Sequence, residues 1–171
     1  MLAYKSRLKR FLQKQRDATH EDLSGYFLAF YESAVFGAEE FIDGVNKLPR
    51  PYRELAAAHQ AWGMISSDGF NNYVEEVDEK FDEEVLKGLA LLDQEKCILP
   101  LQEARRLLVA RWKELDARED LDPLNTKHSD EIRRLAHLEE EDEDRLFSAF
   151  YDPLDQFEDL LGKYLAANLG L

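Results

Sequence analysis

The apolar positions of this chain recur at helical spacing along most of its length. Over 22–36, "DLSGYFLAFYESAVF", Tyr26, Phe27, Phe30, Tyr31, Ala34 and Val35 follow i, i+1, i+4, i+5 spacing, which predicts a helix with a broad buried face. Gly37 is expected to interrupt it, and 38–47 to continue for another turn or two. "LPRPY" (48–52) is punctuation, because Pro49 and Pro51 lack the backbone donor a helix needs. A helix is predicted over 52–65, with Tyr52, Leu55, Ala56, His59 and Met64 available for packing, and "SSDGF" (66–70) reads as a turn. From 71 to 92 the helical signal returns, with Tyr73, Val77, Phe81, Val85 and Leu89 as an unbroken i, i+4 row. Pro100 suits a helix N1 position, and 100–118 reads as a long helix of mixed charge with Glu114 and Arg118 as an i, i+4 pair. "DLDPLNTKHSD" (120–130) reads as a loop, and the pattern restarts near 142 with Leu146, Phe147, Phe150 and Tyr151. Asp152-Pro153-x-Asp155 then offers an N-cap, an N1 proline and an N3 acid to a last helix from 153 to about 168. No segment alternates as a strand would, and no Asn-Gly hairpin turn occurs. The pattern predicts an all-α, single-domain multi-helix bundle.

Charge changes this picture. Of 171 residues 44% are apolar, enough for a core, yet 34% are charged and the net charge is −14. A surface this negative repels nucleic acid and anionic lipid and attracts basic partners. The imbalance is uneven. Residues 1–20 hold six bases (Lys5, Arg7, Lys9, Arg10, Lys14, Arg16) and one acid, Asp17, while 21–171 hold 16 bases and 35 acids. The organisation expected is a basic N-terminal helix or arm over 1–20 and an acidic all-helical domain over 21–171. The arm is amphipathic through Leu8, Phe11 and Leu12. An acid-poor start of this kind can be a transit peptide or lie on a membrane surface, and the plainer expectation is docking on the acidic body. The single cysteine, Cys97, forbids an intramolecular disulfide and suits a reducing, cytoplasmic location. No apolar run approaches the ~20 residues of a membrane span.

Two acidic segments stand apart. Residues 71–84 carry seven acids and one lysine, and residues 136–160 carry ten acids and one arginine. If 73–89 were one helix, its apolar row would take one side and Glu75, Glu76, Asp78, Glu79, Asp82 and Glu83 the other, from about 140° to 300° around the axis. An ordinary solvated face intersperses lysine, and this one does not. The run Glu139, Glu140, Glu141, Asp142, Glu143, Asp144 wraps more than one and a half turns, so it cannot occupy one face. Its later members would sit at a helix N-terminus, where the macrodipole favours anions. That explains three or four carboxylates and leaves the rest, with Asp155, Glu158 and Asp159 further on. B-DNA carries one negative charge per ~1.7 Å of axis. Acidic helices side by side can approach that density and occupy the basic cleft of a DNA-binding protein.

Signatures of chemistry are missing. The sequence has no Gly-rich phosphate loop, no Gly-x-Ser-x-Gly, no His-Glu-x-x-His and no Glu-x-x-His. "DEKFDEE" lacks the glycine and the terminal glutamate of a calcium loop. Cys97 stands beside Ile98 and Leu99 and reads as a buried structural thiol, and His20, His59, His128 and His137 share no ligand spacing. No catalytic residue, metal or cofactor is expected.

"SSDGFNNYVEEVDEKFDEEVLKGLALLDQEKCILPLQEARRLL" (66–108), with "LPRPYRELAAAHQAWGMI" upstream and "DRLFSAFYDPLDQFEDLLGKYLAANL" downstream, resembles a bacterial all-helical domain family of formerly unknown function. Its hallmark is an Asn-Gly-Gly-Phe-like turn, followed by an aromatic residue and a helix. Gly69, Phe70 and Tyr73 match that turn and read as structural, while Asp68 stands where the family usually has its first glycine. One branch comprises DMP-type DNA-mimic proteins, small, acidic, helical and dimeric, which bind a helix-turn-helix transcription factor and keep it off its operator. The resemblance, spanning roughly 20–168, implies a non-enzymatic cytoplasmic homodimer that blocks a basic transcription regulator and touches neither nucleic acid nor membrane itself. The alternatives are an immunity- or antitoxin-type inhibitor of a basic nuclease, and a metal-dependent hydrolase using clustered carboxylates. The phosphate-mimicking candidates are the fifteen acids named above, from Glu75 to Asp159.

Overall fold

The structure is a computed structural model that describes Ser6, Lys9, Arg10, residues 19–35, Val45 and residues 48–169. The described residues form helices α1 (His20–Val35), α2 (Tyr52–Glu76), α3 (Glu79–Leu91), α4 (Ile98–Asp116), α5 (Ser129–Ala136), α6 (Glu140–Tyr151) and α7 (Phe157–Leu169), with 3₁₀ turns at Glu95–Cys97 and Asp152–Leu154. Among them there is no strand, so the all-α fold class stands. Most of the basic arm and of 38–47 lies outside the described residues.

The chain forms two compact units. The first takes Met1–Ala61, Glu79–Glu95 and Leu154–Leu171, and the second takes Trp62–Asp78 and Lys96–Pro153. Each is built from discontinuous segments. In the first unit α1 packs on α7. The start of α2 is fully buried at Leu55, Ala56, Ala57, Ala58 and Ala61, with Phe27, Val85, Leu89, Leu161 and Leu165 also in the core. Small side chains on α2 let α3 approach closely: a methyl group at Gly88 would collide with the Glu54 carbonyl. Thr19 and Asp22 cap α1 reciprocally. The Asp22 carboxylate accepts from the Thr19 N–H at 2.8 Å, and the Thr19 hydroxyl accepts from the Asp22 N–H at 3.2 Å.

In the second unit α4 packs on α5 and α6. Phe70 of α2 meets Phe150 of α6 edge-on at 5.7 Å, and both are fully buried. Each buried ring contributes about 1.5–3 kcal/mol by leaving water. Cys97 is buried as expected. Its thiol donates to the Phe150 carbonyl at 3.5 Å, and burial pushes it up to about 11, far from a nucleophile's range.

Several boundaries differ from the sequence pattern. Residues 66–70 are not a free turn but part of α2, which kinks at Gly69 (φ 77°, ψ 178°), a conformation that suits glycine. The row from Tyr73 to Leu89 is buried throughout, yet it is not one helix: α2 ends at Glu76 and α3 begins at Glu79. Arg105 explains the break, since its guanidinium donates to the Val77 carbonyl at 2.7 Å and takes up a helix-end acceptor. The macrodipole favours the same division. Asp82 and Glu79 gain a helix N-terminus, whereas in one continuous helix they would not. Pro100 is the third residue of α4 rather than its first, still inside the turn whose N–H groups lack helical acceptors. Helix α5 falls partly in the predicted loop, because its eight residues hold only one i, i+3, i+4 apolar set, Ile132, Leu135 and Ala136, too short to stand out from the loop before it. Its charges follow the macrodipole, with Asp130 and Glu131 first and Arg133 and Arg134 last. Asp152-Pro153 forms a 3₁₀ turn, and α7 starts later, at Phe157.

Candidate functional site

The acids singled out by sequence divide between the units in an order the sequence does not show. Glu75, Glu76 and Asp78 share the second unit with Glu139–Asp144, while Glu79, Asp82 and Glu83 share the first with Asp155, Glu158 and Asp159. The stretch 75–83 is not the one helix that the sequence pattern expects, because the α2–α3 break runs through it.

In the second unit the acidic run opens α6, and its position is fixed by residues far away in sequence. The connection from α5 to α6 is extended, with His137 at φ −111°, ψ 162° and Glu139 at φ −67°, ψ 146°. Three side chains take up its polar groups. Arg111 of α4 donates to the Arg134 carbonyl at 2.8 Å and to the Glu139 carboxylate at 2.7 Å. Trp112 donates its indole N–H to the Ala136 carbonyl at 2.8 Å. Asn71 of α2 accepts from the Leu138 N–H at 3.0 Å and donates to the Glu143 carboxylate at 3.3 Å. Leu135, just before the connection, and Leu138, within it, are buried.

This arrangement sorts the six carboxylates. Glu139 is held by Arg111, whose hydrogen bond and charge keep its carboxyl below the ordinary range. Asp142 pairs with Arg145 at 2.9 Å, and Arg145 also reaches Glu103 at 3.0 Å. Glu143 is half-buried against Asn71. Glu140, Glu141 and Asp144 are exposed and, among the described residues, meet no cation. Glu140 and Asp144 stand one turn apart on the same side of α6, about 6 Å along the axis. The exposed Glu75 lies one turn beyond Asn71 on α2, and with Glu76 it likewise meets no cation among the described residues. Two runs separated by some sixty residues thus contribute to one unit through the Asn71 contact.

The first unit treats its acids differently. Glu84 is buried, and Arg53 at 2.9 Å, Lys87 at 3.0 Å and Arg50 at 3.3 Å surround it. Burial alone would raise its carboxyl, but hydrogen bonds and charge from Lys87 and Arg53 outweigh that and hold it below its ordinary value. Glu83 reaches Lys87 at 3.8 Å, and Asp159 pairs with Lys163 and with His20. Glu79, Asp155 and Glu158 are exposed and, among the described residues, unpaired. Sequence reading did not find Asn71, Arg105, Arg111 or Trp112. Only Asn71 had a local signal, its place directly after Gly69-Phe70.

Gly69, Phe70 and Tyr73, expected to form a turn, lie within the kinked α2. Gly69 makes the kink, Phe70 packs on Phe150, and Tyr73 is fully buried with the Arg105 guanidinium 5.9 Å from its ring centre. Among the described residues, no three His, Cys, Asp or Glu side chains gather as a metal ion would require, and no helix is long and apolar enough to cross a membrane.

The fold and this surface define an all-α acidic protein with exposed carboxylates that meet no cation among the described residues at an anchored helix start. Residues 46–168 match the model of the DMP19-like protein family, well over half of the chain, and the chain belongs to that family. No curated protein and no solved structure matches the chain.

Proposed function

We propose that this protein is a DNA mimic. It binds the DNA-binding surface of a basic transcription regulator, of helix-turn-helix type by the family resemblance, and keeps it off DNA without chemistry of its own. The observation that carries the reading is the first turn of α6. Glu140, Glu141 and Asp144 are exposed and meet no cation among the described residues, while the backbone leading into them is held at Arg134, Ala136 and Leu138 by Arg111, Trp112 and Asn71. A solvated acidic tail needs no such anchoring, whereas a surface that imitates phosphates does, because charge complementarity rewards fixed positions. Membership of the DMP19-like family supports the same reading. The resemblance further implies a homodimer acting in the cytoplasm.

The test is capture from host lysate at low salt, with the full chain immobilised and the bound fraction eluted by a salt gradient. One discrete DNA-binding protein, released by rising salt and by its own operator duplex, is the expected result. A partner that operator DNA does not release contradicts DNA mimicry. A nuclease in that fraction, inhibited by this chain, would replace the regulator with the nuclease-inhibitor reading.

A further inference from the structure

We infer that Gly69-Phe70-Asn71 is a clip that sets the position of the acidic turn, with Asn71 as its positioning residue. The inference rests on the proposed DNA-mimic reading for its functional meaning and on geometry for its structural content. Of three consecutive residues of α2, Phe70 and Asn71 contact α6 or the residues leading into it, and Gly69 lies close beside it. Gly69 leaves room: a methyl group there would stand 2.8 Å from the Glu143 carboxylate. Phe70 seats the far end of α6 through Phe150. Asn71 holds the near end through the Leu138 N–H and the Glu143 carboxylate.

The chemistry of the amide matters here. One contact needs an acceptor and the other a donor, and among side chains of this length only asparagine offers both at once. Helix α6 also lacks a cap of its own. Glu139 stands at the N-cap position and makes no side-chain capping bond. The start of the helix is therefore registered from outside, by Asn71 and Arg111, instead of by its own sequence. Asn71 makes no contact with a partner in this account. It acts through Glu140, Glu141 and Asp144, which lie between its two attachment points or one residue beyond them.

The test uses the full chain with Asn71→Ala, Asn71→Asp and the double variant Asn71→Asp/Glu143→Gln. The double variant exchanges donor and acceptor and keeps the net charge of the parent. Hydrogen exchange at the Leu138 amide and in the first turn of α6 is read by NMR. Asn71→Ala is expected to speed exchange there about tenfold, the worth of one net hydrogen bond, with α4 and α7 unchanged. Asn71→Asp keeps the Leu138 contact but sets two carboxylates together, so the first turn loosens, and Glu143→Gln in that background restores it. Unchanged exchange in Asn71→Ala, or no restoration in the double variant, overturns the inference whatever the protein binds. Binding is read with the partner recovered by capture. Asn71→Ala is expected to weaken it several-fold at constant charge, with the double variant recovering it. Full binding by Asn71→Ala, while Glu140→Lys/Glu141→Lys/Asp144→Lys loses it, also overturns the clip and leaves the mimic reading standing. Full binding by that triple variant instead contradicts the mimic surface, and exchange alone then decides the clip.

Discussion

The buried carboxylate of the first unit and the acidic helix start of the second are held in different ways, while each unit also carries exposed acids that meet no cation among the described residues. In the first, Glu84 is buried and ringed by Arg50, Arg53 and Lys87, and Asp159 is tied to Lys163 and His20. These acids are structure: a buried carboxylate that lost its partners would destabilise the fold by several kcal/mol. In the second, Asn71, Arg111 and Trp112 hold the backbone that leads into the acidic run, and the carboxylates of Glu140, Glu141 and Asp144 stay in water. The anchoring goes to the main chain and the charge is left over. A count of acids along the sequence treats both groups alike. Which acids become surface depends on where Arg and Asn side chains from distant helices arrive.

Three substitutions or conditions sharpen this contrast. Gly88→Ala should have the largest effect on stability, because the added methyl meets a backbone carbonyl that cannot rotate away. A loss of about 3 kcal/mol is expected in denaturant unfolding, and it should be felt first by the first unit. Acid comes next. Burial lowers the His59 imidazole from 6.5 to about 4, so below pH 6.5 the unfolded chain takes up the proton before the folded one does. Stability from this group is therefore full above pH 6.5 and falls toward pH 4 by something on the order of 3 kcal/mol. Glu84 acts further down: its lowered carboxyl supports the fold above its ordinary value of 4.5 and ceases to as pH drops through the folded value. Thermal melts from pH 7 to pH 4 should show the decline, and His59→Leu should flatten its upper part. The smallest expected stability effect belongs to Glu140→Lys/Glu141→Lys/Asp144→Lys. It loses only the macrodipole support of exposed groups, about 1–2 kcal/mol in all. A large loss of stability there would mean that these acids are structure after all.

The sequence was most readable where packing repeats. The i, i+4 row from Tyr73 to Leu89 is buried at every member, and the aromatic positions Phe27, Phe70 and Phe150 are core. It was least readable where a distant residue intervenes. Nothing near Val77 announces a helix end, since the group that takes its carbonyl is Arg105 in another helix. Gly69 reads locally as a turn, yet the helix continues past it. The same holds for the site. The acids were visible as runs, but their pairing by Arg111, Arg145 and Lys87 and the joining of 75–76 with 139–144 through Asn71 depend on tertiary contacts. Helix α5 is hard to read because its one apolar set, Ile132, Leu135 and Ala136, is shorter than the stretch over which a helical period registers.

The most direct test of the account compares two charge reversals of equal size against the captured partner at low salt. One is Glu140→Lys/Glu141→Lys/Asp144→Lys in the second unit, and the other is Glu79→Lys/Asp155→Lys/Glu158→Lys in the first. Both remove three exposed carboxylates and change net charge by the same amount. The α6 variant is expected to lose binding and the first-unit variant to stay within a few-fold of the parent. Equal losses in both would mean that the partner responds to total charge and not to an anchored surface, which contradicts the central claim.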